Sequence, residues 1–167
     1  VWEHESSHKI MVIGYDLGMN TPGGFGEVFA MQPATGAILW RRTFEAPIQA
    51  APAVADGRVL IAVRSDDGYA IDARTGNTLW RVQGTGGPGL LGGSSPATDG
   101  FLAVMPFASG EVLGVLARNG IVVWGTAVTG GRRQFARSSI TDITGAPVID
   151  GAAVYASNQA GRTIRID

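Results

Sequence analysis

The chain has 167 residues, enough for one domain with a sizeable hydrophobic core. Apolar residues make up 45% and charged residues 16%, and the formal net charge is −1, so no global field draws in nucleic acid or acidic substrates. Cysteine is absent, which excludes disulfides, thiolate metal sites and a cysteine nucleophile within these residues. No run reaches the ~18 unbroken apolar residues that cross a bilayer.

At the start, His4-Glu5-Ser6-Ser7-His8 matches H-E-x-x-H formally. A zinc site needs that motif on a helix, so that both imidazoles share a face. Here the run passes straight into apolar, β-favouring residues 9–15, so no metal site is expected. Strands are expected over 9–15, 27–31 and 37–43, with a loop at 16–24. The next set covers 49–54, 58–64, 69–72 and 78–82. Within it, residues 59–63 are apolar on both alternating faces, as in a strand packed on both sides. Asp66, Asp67 and Gly68 read as a hairpin turn, since a calcium loop needs several more converging oxygens.

The stretch from Gly84 to Gly89 satisfies G-x-G-x-x-G formally. A dinucleotide site needs a helix immediately afterwards to hold the pyrophosphate. Pro88, Gly92 and Gly93 argue against that helix, so a connection between sheets is expected. A third set of strands follows at 95–98, 101–106, 112–116 and 121–126, and a last set at 146–149, 152–157 and 162–166. Between these two sets lies a long basic segment, 130–145, with Arg132, Arg133, Phe135, Arg137 and Asp142.

These sets repeat. Trp40 and Trp80 are 40 residues apart, and Trp80 and Trp124 are 44 apart. Each tryptophan follows a turn glycine by four residues: Gly36, Gly76 and Gly120. Gly26, Gly68 and Gly110 recur 42 apart, and Pro52, Pro96 and Pro147 each precede an Asp-Gly pair. A period of roughly 40–45 residues made of four short strands marks a β-propeller blade. The expected fold is therefore all-β, a propeller of four-stranded antiparallel blades. Blade one covers about 9–43 with its first strand missing or unrecognisable, blade two 49–82, blade three 95–126 and blade four 146–167 without its fourth. The tryptophans are expected to be structural, each closing an outer strand and covering the seam to the next blade.

The pattern Ala70-Ile-Asp72-Ala-Arg-Thr75-Gly76-Asn-Thr-Leu-Trp80 resembles the repeat of the pyrroloquinoline-quinone-type propellers. Two functions share it, the quinoprotein dehydrogenases and the BamB-type lipoproteins of the outer-membrane β-barrel assembly machine. Residues 88–96, 105–111 and 139–147, above all Asp142-Ile-Thr-Gly-Ala-Pro147, are similar to the BamB side. Residues 9–26 look more like the dehydrogenase repeats. The BamB resemblance implies an eight-bladed ring held by a lipid at the inner face of the outer membrane, in the periplasm. It implies binding to the periplasmic domains of the barrel-inserting subunit, BamA. It also implies a contact surface that includes the arginine before the D-(I/V)-x-x-x-P segment, here Arg137.

The residues weigh in the same direction. An extended basic loop carrying an aromatic is where a rigid scaffold places recognition, so Arg132, Arg133, Phe135, Arg137 and Asp142 are the expected partner-binding residues. A quinone enzyme needs calcium ligands and an aspartate base, and its family commonly uses a vicinal cysteine pair. The carboxylates here sit mostly in turns: Asp56, Asp66, Asp67, Asp99 and Asp150. A non-enzymatic scaffold with no cofactor and no catalytic residue is expected. The alternatives are a fragment of a quinone-dependent dehydrogenase and a propeller sensor domain. An arc of four blades leaves sheet faces open, so a piece of a longer chain is expected. The other reading is that two copies meet head to tail, residues 1–3 of one supplying the strand missing after Asp167 of the other.

Overall fold

The computed structural model describes residues 2–3, 11–16, 26–48, 50–85, 93–128 and 143–167. They form strands only, with no helix among the described residues. Blade one holds β1 (Trp2–Glu3), β2 (Met11–Asp16), β3 (Gly26–Met31) and β4 (Ile38–Phe44). Blade two holds β5 (Ala53–Ala55), β6 (Arg58–Val63), β7 (Asp67–Asp72) and β8 (Thr78–Gln83). Blade three holds β9 (Ala97–Thr98), β10 (Leu102–Pro106), β11 (Glu111–Leu116) and β12 (Val122–Ala127). Blade four holds β13 (Ile143–Asp150), β14 (Ala153–Asn158) and β15 (Thr163–Ile166). Every sheet is an antiparallel meander in chain order.

The blades stack face to face, with the first strands together: β9 touches both β5 and β13. The central strands explain their unbroken apolar sequences. Val59 and Ile61 pack into a cluster with Val28 and Ala30 of blade one, whereas Leu60 between them packs with Ala103 and Met105 of blade three. In β10 the alternation repeats, since Ala103 and Met105 face blade two and Val104 joins Val154 and Ala156 of blade four. A strand that is dry on both faces has no position for a polar side chain. At about 25 cal/mol per Å² of apolar surface removed from water, these seams dominate the favourable energy.

The tryptophans lock the seams at one end. Trp40 Nε1 donates to the Ala73 carbonyl of blade two at 2.8 Å, and Trp80 Nε1 donates to the Ala117 carbonyl of blade three at 2.8 Å. Each ring lies on the turn glycine of the next blade. A Cβ on Gly76 would sit 2.8 Å from Trp40, and one on Gly120 would sit 2.8 Å from Trp80. Both glycines also hold positive φ, 75° and 73°, so glycine is required there twice over. In blade two Asp72 fixes this turn by accepting from the Arg74 and Thr75 amides at 3.0 and 2.8 Å and from the Thr75 hydroxyl at 2.9 Å.

Three expectations need correction. The hairpin turn expected at Asp66, Asp67 and Gly68 falls at 64–66, and Asp67 and Gly68 open β7. Blade one has a first strand: Trp2 pairs with Val12 and Glu3 with Met11. Two residues carry no readable alternation, which is why the pattern hides them. The 42-residue glycine spacing is not the register of the fold. Ala30, Ala70 and Gly114 pair with Trp40, Trp80 and Trp124, which sets Asp66, not Gly68, level with Gly26 and Gly110. Asp66 has φ +59° and Gly110 has φ +89°, so an aspartate holds a left-handed position that glycine holds one blade later. The formal H-E-x-x-H match at His4–His8, where no metal site is expected, lies outside the described residues.

Candidate partner-binding face

In a meander of four strands, the blade-to-blade connections leave from the same end as the hairpins between second and third strands. One end of the arc therefore gathers the connections after Phe44, Gln83 and Ala127 with the hairpins around Asp66, Ser109 and Gln159. The opposite end carries the tryptophan docks and the tight turns at Gly57 and Gly76. Phe101, 72% exposed, marks that turn end.

Arg132, Arg133, Phe135, Arg137 and Asp142 all lie outside the described residues, but both ends of their segment are described and anchored. Val128 and Ile143 are fully buried. The Val128 amide donates to the Gly110 carbonyl at 2.9 Å, and its carbonyl accepts from Asn158 Nδ2 at 2.9 Å. Ile143 pairs with Asn158, whose Oδ1 accepts from the Arg162 amide at 3.0 Å. One buried asparagine thus ties Val128 and Ile143, at the two ends of the segment, to the last hairpin. Sequence reading passed over Asn158, which the chain shows only as a polar residue before a turn.

A row of carboxylates runs along this end, one at the start of the third strand in each of blades one to three: Glu27, Asp67 and Glu111. In blade one Arg41 pairs with Glu27 at 3.2 Å and covers the Phe29 ring at 5.6 Å. In blade two Arg81 pairs with Asp67 at 2.7 Å and covers the Tyr69 ring at 5.8 Å. Burial, and then the Asp67 charge, push the Tyr69 phenol above its ordinary range. Between these blades Arg42, Phe44, Glu45, Ser65, Tyr69 and Arg81 line a cleft of about 370 Å³. Both arginines directly follow the seam tryptophan, and in blade three that place is taken by Gly125. Glu111 instead accepts from the Thr85 amide at 2.6 Å and the Thr85 hydroxyl at 3.2 Å. Thr85 stands at the root of the glycine-rich connection.

Asp66 lies behind this row, 1% exposed. Its oxygens face the Ser109 hydroxyl and the Ser109 and Ala108 amides across the seam, yet neither makes a hydrogen bond of good geometry. Burial raises its pKa, the Ser109 donors oppose that rise, and the Glu111 charge adds to it. Of the glycine-rich connection, Gly84, Thr85 and residues 93–95 are described and contain no helix; residues 86–92 lie outside the described set.

The family model described as outer membrane protein assembly factor BamB matches residues 2–167. The chain belongs to this family. It is 31% identical over 155 residues to the outer membrane protein assembly factor BamB of Burkholderia pseudomallei, covering 90% of this chain and 40% of that one. Its fold is similar to the crystal structure of BamB from Moraxella catarrhalis, with a TM-score of 0.73 and 20% identity over 86% of this chain and 46% of the other. A europium-containing methanol dehydrogenase superposes with a TM-score of 0.59 at 16% identity, covering 81% of this chain and 32% of its own. That likeness is one of fold alone. The chain thus spans less than half the length of the BamB proteins it matches.

Proposed function

We propose that this BamB-family chain is part of a non-enzymatic scaffold for assembling outer-membrane β-barrel proteins. In this reading residues 1–167 are one partial propeller, completed to eight blades in the whole protein. It sits in the periplasm at the inner face of the outer membrane, held there by a lipid. Its connection end binds the periplasmic domains of the barrel-inserting subunit through Arg132, Arg133, Phe135, Arg137 and Asp142. The family match over residues 2–167 is the observation that carries the assembly role. The anchoring of Val128 and Ile143 supports the choice of loop, because a segment held rigidly at both roots loses less entropy on binding. A photo-crosslinking residue at position 135 should give an adduct with the barrel-inserting subunit in cells, and one at position 118, on the turn end, should give none. Adducts from position 118 alone would reverse the assignment.

A further inference from the structure

The departure of blade three from its siblings leaves a place that an outside group can fill. In blades one and two the arginine after the seam tryptophan reaches the carboxylate that opens the third strand, at 3.2 and 2.7 Å. In blade three the carboxylate remains as Glu111, but Gly125 removes the arginine. Among the described residues no ion pair involves Glu111. Where the guanidinium would lie there is a hollow of about 350 Å³, lined by Thr85, Ser109, Glu111, Gly125, Thr126 and Ala127. Leu113 leans over Gly125, its Cδ2 2.8 Å from where a Cβ would be. Thr85 makes one short bond to Oε2 through its amide and one long bond to Oε1 through its hydroxyl, at 2.6 and 3.2 Å, and a carboxylate has about four acceptor sites.

We infer that this hollow is a socket for an arginine side chain from a partner polypeptide, which completes in trans the acid–guanidinium pair that blades one and two make internally. Two features favour a guanidinium. Glu111 lines the hollow with a carboxylate, the group that suits a planar fork. Ser109 and Thr126, which also line it, carry hydroxyl groups. The socket opens on the connection end, the face proposed above for the partner, but its chemistry does not depend on which protein binds there.

The test is a titration of the protein with N-acetyl-arginine amide, following the Thr85 and Gly125 amides by NMR. Saturable shifts are expected with a Kd of roughly millimolar order, which one charge-assisted bidentate pair supports. The neutral isostere N-acetyl-citrulline amide should bind at least about tenfold more weakly, and Glu111→Gln, which keeps an acceptor for Thr85, should lose the arginine response to the same degree. Gly125→Arg, with the Leu113 methyl group shifting to admit its Cβ, should plug the socket from within and abolish the titration. Equal binding of arginine and citrulline, or an unaltered response in Glu111→Gln, overturns the proposal. So does an Arg132→Ala/Arg133→Ala variant that binds the probe much more tightly, since the protein's own loop would then be the occupant. A failed crosslink at position 135 would sink the proposed partner and leave this result standing.

Discussion

The two ends of the blades obey different rules. At the turn end the repeat is strict: Trp40 and Trp80 reach their carbonyls at the same 2.8 Å, over glycines whose φ values differ by only a few degrees. At the connection end each blade differs. Blade one pairs Arg41 with Glu27, blade two pairs Arg81 with Asp67 and buries Asp66, and blade three lacks the arginine and holds Thr85 instead. A propeller needs one geometry repeated at its seams, so the same residues recur there from blade to blade. Recognition needs local differences, and the end that can vary without opening a seam is the end that supplies them.

The largest expected effect comes from breaking the strict end. Trp80→Ala should cost about 3–5 kcal/mol in denaturant-induced unfolding, because the ring is buried and its nitrogen is bonded. Stability within the error of the parent protein would remove the seam role. Next is Gly120→Ala, expected to cost about 3 kcal/mol from left-handed strain plus displacement of the Trp80 ring. Gly151→Ala is its control. It shares a positive φ of 58° but a Cβ there meets nothing within 4 Å, so only about 1–2 kcal/mol of strain is expected. Equal losses at the two glycines would show that ring contact does not matter.

Titration separates the ends by sign. Backbone amides, Thr75 first, hold the Asp72 carboxyl below its usual range. Its stabilising contribution is present above the ordinary aspartate pKa and fades as pH falls through the depressed folded value. Burial raises Asp66, so its contribution runs the other way: present below the ordinary pKa and lost as pH rises through the elevated folded value. Asp66→Asn, which tolerates the left-handed backbone, should therefore stabilise the protein at neutral pH, and Asp72→Asn should destabilise it. Melting curves at neutral and acidic pH check both, and a destabilised Asp66→Asn at neutral pH would contradict the burial argument. The smallest effect is Arg41→Ala, about 1 kcal/mol, because Arg41 is half exposed and water can take its place beside the buried Glu27.

The strict end was also the legible one. A tryptophan at a fixed distance from a turn glycine is a signal that survives variation in the rest of the blade, so blades and seams could be read before any coordinates. What the pattern missed has physical reasons. β1 is two residues long and shows no alternation. Asp66 takes the left-handed place of a glycine, and the nearby Gly68 therefore suggested a false register. The hollow at Glu111 was visible in principle as Trp-Arg, Trp-Arg and Trp-Gly in successive blades, but only after the tryptophans had been aligned. Asn158 had no signal at all, since its work depends on two chain segments meeting across the loop.

The most direct test of the scaffold reading is calorimetric titration with the periplasmic domains of the barrel-inserting subunit, comparing substitutions at the two ends. Replacing Arg132, Arg133, Phe135 and Arg137 together by alanine should weaken binding by roughly a hundredfold while leaving the melting temperature unchanged, as loss of a hot-spot cluster does. Replacing Phe101 and Arg118 on the turn end should leave binding as it was. Full affinity in the four-alanine variant, or a loss confined to the turn-end variant, would contradict the account.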